Sequence, residues 1–152
     1  MGKSLCDIFD IRSIKMDFDG KTKELAFADL IDSISALNPG CNRAELFSAI
    51  MERESKMCTG IGNGVAIPHA NCKSITNICG AIGISKHGID YGALDDKPVH
   101  IVFLFAISEK PGDEHLHILN QIFKLVQSEE LALMKNAKNA DEIHAILSRV
   151  HL

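Results

Sequence analysis

The stretch VHIVFLFAIS, Val99 to Ser108, constrains the fold more than any other part of the chain, because eight of its ten residues are apolar and they do not alternate with polar ones. A strand with one wet face carries polar side chains at every second position, whereas a run of this kind has to be covered on both faces. CGAIGIS, Cys79 to Ser85, has the same character. Both runs fall far short of the ~20 apolar residues that cross a bilayer, so the covering must come from the chain itself. Strands buried on both faces predict an α/β domain with helices on each side of its sheet.

The flanking sequence supplies those helices. Leu25, Leu30, Ile31, Ile34 and Leu37 fall near the 3.6-residue period, and Asn38, Pro39 and Gly40 stop the helix. A second helix is predicted from about Arg43 to Ser55, with Asn42 as its N-cap and Leu46, Phe47, Ile50 and Met51 as its buried stripe. Beyond Gly112, Leu116, Leu119, Ile122, Phe123 and Val126 are expected to form the inward face of another helix, with Asp113 and Glu114 at the positive end of its dipole. A last helix spans about Ala140 to Val150, capped by Asn139 or Asp141. A short strand is expected at Ile14 to Phe18, and the turn-rich KHGIDYGALDDKP between the two apolar strands reads as a surface connection. No repeat or linker divides the chain. A chain of 152 residues is the size of one ordinary domain, so residues 1–152 are expected to form one core around a mixed sheet.

Sixteen basic against 20 acidic residues leave a net charge of −4, which speaks against a nucleic-acid backbone as the main partner. A small soluble partner or another protein fits better. The N-terminus MGKSLCDIFDIRSIKM lacks the apolar core and small-residue cleavage site of a secretory signal, so the expected location is cytoplasmic, without membrane insertion. The five cysteines are odd in number and form no C-x-x-C pair, which predicts thiols rather than disulfides.

The chemistry concentrates in TGIGNGVAIPHA, Thr59 to Ala70. Its glycines, Gly60, Gly62 and Gly64, resemble a nucleotide loop only in outline. G-x-G-x-x-G would need glycine where Val65 stands, and no lysine follows until Lys73, which removes a Walker loop. What remains is a turn with backbone freedom, read as a tight loop between helix and strand. Pro68 then removes a ladder donor, so VAIPH is expected to be a strand whose pairing ends at residue 68 and whose next side chain, His69, is held in a defined direction. A histidine that merely caps a strand end is the alternative.

Two further residues could serve that imidazole. His115 lies in the first turn of a predicted helix, where unpaired N–H groups and the dipole favour an anion, so its ring can donate to a phosphate. His117, two positions on, cannot share its helix face and reads as an ordinary partly exposed residue. Arg53, near the end of the second helix, has the planar fork that binds phosphate bidentately. Its competing fate is a surface salt bridge with Glu52 or Glu54. G-x-S-x-G, H-E-x-x-H and EF-hand patterns are absent, and His69, Cys72 and His115 lack the spacing of a zinc site. Asp95 and Asp96 look like a solvated turn.

GIGNGVAIPHA resembles the active-site signature of the enzyme IIA domains of the bacterial phosphoenolpyruvate-dependent sugar phosphotransferase system, in the fructose/mannitol class that includes the nitrogen-regulatory enzyme IIA. MERE, ALDDKPVHIVFLFAIS and GDEHLHIL also have counterparts in the family pattern. The resemblance implies a mixed five-stranded sheet flanked by helices. It implies that His69 accepts a phosphoryl group from the phosphocarrier protein HPr or its nitrogen-branch counterpart, that His115 assists, and that Arg53 contacts the phosphoryl group. No cofactor or metal is required by these parts.

Such a transfer between imidazoles depends on in-line positioning and on offsetting charge. His69 must be neutral with one lone pair free, and a hydrogen bond to its other nitrogen would fix the tautomer. The glycines are expected to let backbone N–H groups and the partner approach, and Ile61 and Val65 are expected to contribute to docking. With no enzyme IIB or IIC segment within the sequence, a regulator acting on target proteins is the first reading, and a transport enzyme IIA that passes phosphate to a IIB domain is the second. The role of Asn63 stays open at this point.

Overall fold

The computed structural model describes residues 4–18, 21–109 and 112–149. In chain order the elements are α1 (Leu5–Ile8), a 3-10 turn (Ile11–Ser13), β1 (Ile14–Met16), α2 (Lys23–Leu37), α3 (Arg43–Lys56), β2 (Gly60–Gly62), β3 (Val65–Ala66), β4 (His69–Cys72), β5 (Cys79–Ile89), β6 (Val99–Ser108), α4 (Glu114–Val126), α5 (Glu130–Lys135) and α6 (Ala140–Ser148). The helix starts are set by side-chain caps: Thr22, Asn42 and Asn139 accept the backbone N–H groups of Leu25, Glu45 and Glu142. The expected end of the last helix at Val150 lies outside the described residues.

The sheet runs β1-β5-β6-β3-β2, with β4 also paired to β6. The β5–β6 and β2–β3 pairs are antiparallel, and β1–β5, β3–β6 and β4–β6 are parallel, so the sheet is mixed as expected. β3 and β4 keep one continuous register along β6, Val65 opposite Ile101 and His69 opposite Phe105. They are one strand interrupted at Ile67 and Pro68, and counted so the sheet has the five strands that the resemblance implies. The expected strand end at residue 68 is therefore a gap, and pairing resumes at His69.

Side chains of β6 alternate between two cores. Ile101, Phe103, Phe105 and Ile107 join α1, α4, α5 and α6 on one face, while Val102, Leu104 and Ala106 meet α2 and α3 on the other. Residues 101–107 of β6 are all buried, and each fully buried Phe, Leu or Ile contributes about 1.5–3 kcal/mol. Where the chain must come closest, glycine replaces a side chain: a Cβ on Gly80 would lie 2.5 Å from a ring carbon of Phe9 and 2.7 Å from the Leu104 carbonyl oxygen.

Several expectations need correction. Leu116 and Phe123 are exposed, and α4 turns Ile118, Gln121, Ile122, Leu125 and Val126 inward instead. Its apolar residues occupy about half of the helix circumference, more than the sheet can cover, so the 3.6-residue period alone did not fix which arc is buried. Leu25 is also exposed, replaced in the core by Ala26 and Phe27. β5 continues to Ile89, so the first residues of the expected surface connection belong to a strand. Asp95 and Asp96 do form a turn, in which Asp95 accepts the N–H groups of Lys97 and Asn63.

The glycine-rich stretch is a hairpin between two strands. Asn63 and Gly64 have φ of 58° and 77°, the positive values that a two-residue hairpin turn demands. Asn63 is thus a turn residue. No disulfide joins any of the five cysteines among the described residues. Replacing Gly80 with alanine should destabilise the protein by about 1–3 kcal/mol through overpacking against Phe9, read as a lower denaturant midpoint. An unchanged midpoint would mean that the β5–α1 contact has slack.

Candidate active site

The gap at Ile67 and Pro68 decides where His69 points. Pro68 has no N–H to give a ladder, yet its carbonyl still accepts from Phe105 N at 3.1 Å, so the strand stays in register across the break. The ring of His69 folds back and its Nδ1 lies 2.8 Å from the carbonyl oxygen of Ile67. A carbonyl only accepts, so Nδ1 carries the proton and Nε2 keeps its lone pair. The ring also stacks on Phe105, its partner in register, with centroids 4.9 Å apart and planes 6° from parallel. Phe105 is held in turn by the edge-on contact of Phe9 at 6.4 Å. The histidine has one face packed, one nitrogen bonded and the other nitrogen free.

Burial lowers the pKa of His69 below the ordinary histidine value; the bond to Ile67 opposes this shift, the positive charges of Arg53 and His115 add to it, and Glu54 counteracts it weakly. The ring is neutral near pH 7, the form whose Nε2 is a nucleophile.

The three residues singled out in the sequence come together. Arg53, His69 and His115 line one cavity of about 430 Å³, with Ala49, Glu52, Lys56, Asn71 and Ile107. Arg53 is delivered by the last turn of α3, which packs beside β4. It does not take the competing salt bridge: Glu52 pairs with Lys56 at 3.6 Å, Glu54 turns inward, and Arg53 donates through Nη1 to the Met57 carbonyl oxygen at 3.3 Å. His115 sits in the first turn of α4, its Nδ1 3.2 Å from the Gly112 carbonyl oxygen. That carbonyl claims the Nδ1 proton, so Nε2 of His115 donates toward the cavity only when the ring is an imidazolium. His117 is partly buried and lies outside the cavity lining.

Other readings of the glycine stretch do not survive. The hairpin turn is at the far end of β3 from His69, next to Asp95, Lys135 and His100, and none of its residues lines the cavity. Val65 is fully buried and Ile61 packs against the core, so Val65 cannot contribute to a docking surface. Cys72 directs its thiol to Glu45 at 3.2 Å, beneath α3.

Sequence reasoning missed Lys56, Asn71 and Phe105. The first two were legible by spacing, since Lys56 follows Arg53 by one helical turn and Asn71 shares the strand face of His69. Phe105 is reached only through the cross-strand register.

The model of the family described as phosphoenolpyruvate-dependent sugar phosphotransferase system, EIIA 2, matches residues 7–150. The chain is 33% identical over 146 residues to the PTS system fructose-specific EIIABC component of Bacillus subtilis, an alignment covering 95% of this chain and 23% of that protein. It therefore spans about a quarter of that relative's length. It is 30% identical over 128 residues to a nitrogen regulatory protein of Bradyrhizobium diazoefficiens, covering 84% of this chain and 83% of that one. The crystal structure of the nitrogen regulatory protein IIA-Ntr from Neisseria meningitidis superposes with a TM-score of 0.86 at 25% identity, covering 93% of this chain and 97% of that chain.

The lowered pKa of His69 has a defined pH signature. The unfolded ring takes up its proton near pH ~6.5 and the folded ring only at lower pH, so in between the unfolded state holds more protons. Stability contributed by the neutral ring is present above ~6.5 and is lost as the pH falls from there through the lower pKa of the folded ring. NMR titration of the His69 ring should show its midpoint below that of an ordinary histidine; a midpoint at or above the ordinary value would contradict the packed, neutral ring.

Proposed function

Because the chain belongs to the EIIA 2 family of the phosphoenolpyruvate-dependent sugar phosphotransferase system, we propose that residues 1–152 act as a phosphoryl carrier domain whose acceptor is Nε2 of His69. The observation that carries this reading is the Nδ1 bond to Ile67, which leaves one nucleophilic nitrogen open to a cavity shared with Arg53 and His115. The donor is a phosphohistidine of HPr or of its nitrogen-branch counterpart. As the Nε2–P bond forms, the N–P bond of the donor breaks and its lone pair returns to the donor ring. The transition state is loose in most analyses, so the protein acts by alignment and by neutralising the equatorial oxygens.

Arg53 supplies guanidinium donors to those oxygens, and His115 lines the same cavity as a further ring donor. Charge-assisted bonds of this kind contribute about 1.5–3 kcal/mol each. The proton stays on Nδ1 of His69, donated to the Ile67 carbonyl throughout, so the ring does not have to change tautomer.

Output through regulated target proteins, in the manner named for the nitrogen regulatory relatives, is the reading we adopt, and it is supported by the fit to IIA-Ntr over nearly the full length of both chains. The 33% identity to a fructose-specific component favours the second reading, transfer to a IIB domain during fructose- or mannitol-type sugar uptake. Both readings place the carrier in the cytoplasm, where its donor is charged. Among the described residues no helix is long and apolar enough to cross a membrane.

Incubation with phosphoenolpyruvate, enzyme I and HPr should add one acid-labile phosphoryl group to the wild type and none to His69→Ala. Equal labelling of the variant would overturn the assignment. Arg53→Ala and His115→Ala should each slow labelling about 10- to 100-fold with the melting temperature unchanged, and wild-type rates would remove them from the site. Adding a fructose-type IIB domain to the phosphorylated protein separates the two outputs: retention of the phosphoryl group fits the regulator, and rapid loss fits transport.

A further inference from the structure

A buried polar cluster lies at the C-terminal end of α3, centred on Glu54, the residue after Arg53. Glu54, with its side chain 4% exposed, forms an ion pair with Lys23 of α2 at 3.0 Å. Its two carboxylate oxygens also accept from Thr59, one from the backbone N–H at 3.0 Å and one from the hydroxyl at 2.7 Å. The Thr59 hydroxyl in turn meets the Tyr91 hydroxyl at 2.8 Å, and the Lys23 ammonium lies 4.5 Å from the centroid of the Tyr91 ring. These groups join α2, the end of α3, the entry to β2 and the segment between β5 and β6.

A buried charge of this kind is weak evidence for stability, because apolar residues of the same volume often serve as well or better. Its position suggests another purpose. α3 ends at Lys56, its C-cap Met57 is extended with φ of −160° and ψ of 127°, and the chain then passes through Cys58 to Thr59. Consecutive side chains of the last helical turn hold that exit segment at two points. Glu54 reaches inward to Thr59, while Arg53 reaches to the carbonyl oxygen of Met57. The carbonyl that orients Arg53 therefore belongs to a segment that Glu54 pins.

We propose that Glu54, through its bonds to Thr59 and Lys23, is a positioning residue for Arg53, fixing the end of α3 and the Met57 carbonyl so that the guanidinium faces the phosphoryl group on His69; this rests on the carrier reading above. Glu54 bonds to Thr59 and Lys23 and not to the His69 ring, which its charge reaches only weakly. It acts through Arg53, which bonds to the Met57 carbonyl through Nη1 and lines the cavity. Small displacements at such a site are costly, because a misplacement of about 1 Å can slow a reaction 100-fold.

The test is a double-mutant cycle read by single-turnover transfer from phosphorylated HPr. Glu54→Gln and Thr59→Val should each slow transfer about tenfold, and Arg53→Ala should slow it at least as much. In the Arg53→Ala background either substitution should add less than about twofold, because the group it positions is gone. Full additivity, or transfer at the wild-type rate in both Glu54→Gln and Thr59→Val, overturns the proposal. Should Glu54→Gln not fold, Thr59→Val, close in shape, and Lys23→Met carry the same cycle, with melting temperatures measured for each. A role limited to stability would lower the melting temperature and slow transfer equally in both backgrounds, which also overturns it. Failure of the wild type to accept phosphate, or labelling of His69→Ala, would defeat the carrier reading itself, an outcome visible before any Glu54 variant is made.

Discussion

The hydrogen bond from Nδ1 of His69 to the carbonyl oxygen of Ile67 is the contact on which the rest of this site depends. It exists because the strand is broken at Ile67 and Pro68 without losing register along β6. A continuous ladder would pair that stretch regularly, and a loop would let the ring wander. The interrupted strand does neither: it places the imidazole over Phe105, commits one nitrogen to the backbone and presents the other to a cavity. The lowered pKa and the tautomer follow from that one arrangement, and under the proposed function the direction of attack does too.

The cores explain why the arrangement is rigid. β6 is buried on both faces, so Phe105 cannot shift without disturbing Phe9 and Phe103 on one side or Leu104 and Ala106 on the other. Arg53 and His115 arrive from different layers, α3 on one face and α4 on the other, and meet at the end of the sheet where β4 emerges. Neither helix alone could supply both. The site is a consequence of covering the sheet twice.

Much of this was legible in the residues. The unalternating runs at Cys79–Ser85 and Val99–Ser108 demanded two covering layers, and Asn42 and Asn139 marked helix starts through chemistry local to the cap. Pro68 followed by His69 announced a held imidazole, although the strand resumes at His69 rather than ending before it. The failures share a cause, which is that periodicity describes an element and not its neighbours. α4 has apolar residues around about half of its circumference, and only the sheet chooses the arc with Ile118 and Ile122 over that with Leu116 and Phe123. Short α5 offers too few turns for a periodic signal. Phe105 beneath His69, and the inward turn of Glu54, depend on cross-strand and interhelical packing that no local pattern encodes. The Asn-Gly pair at residues 63–64 is a hairpin signal in its own right, and it joins two strands where a loop between helix and strand was expected.

The central claim is chemical and specific to one atom: His69 donates its Nδ1 proton in a hydrogen bond to the Ile67 carbonyl, so the proposed phosphoryl transfer goes to Nε2. Heteronuclear NMR on protein labelled with ¹⁵N in histidine tests it directly, through the tautomer of His69 before phosphorylation and the phosphorus–nitrogen coupling after it. The account predicts an Nδ1–H tautomer in the neutral ring and phosphorus coupled directly to Nε2. An Nε2–H tautomer, or phosphorus bonded to Nδ1, would contradict it.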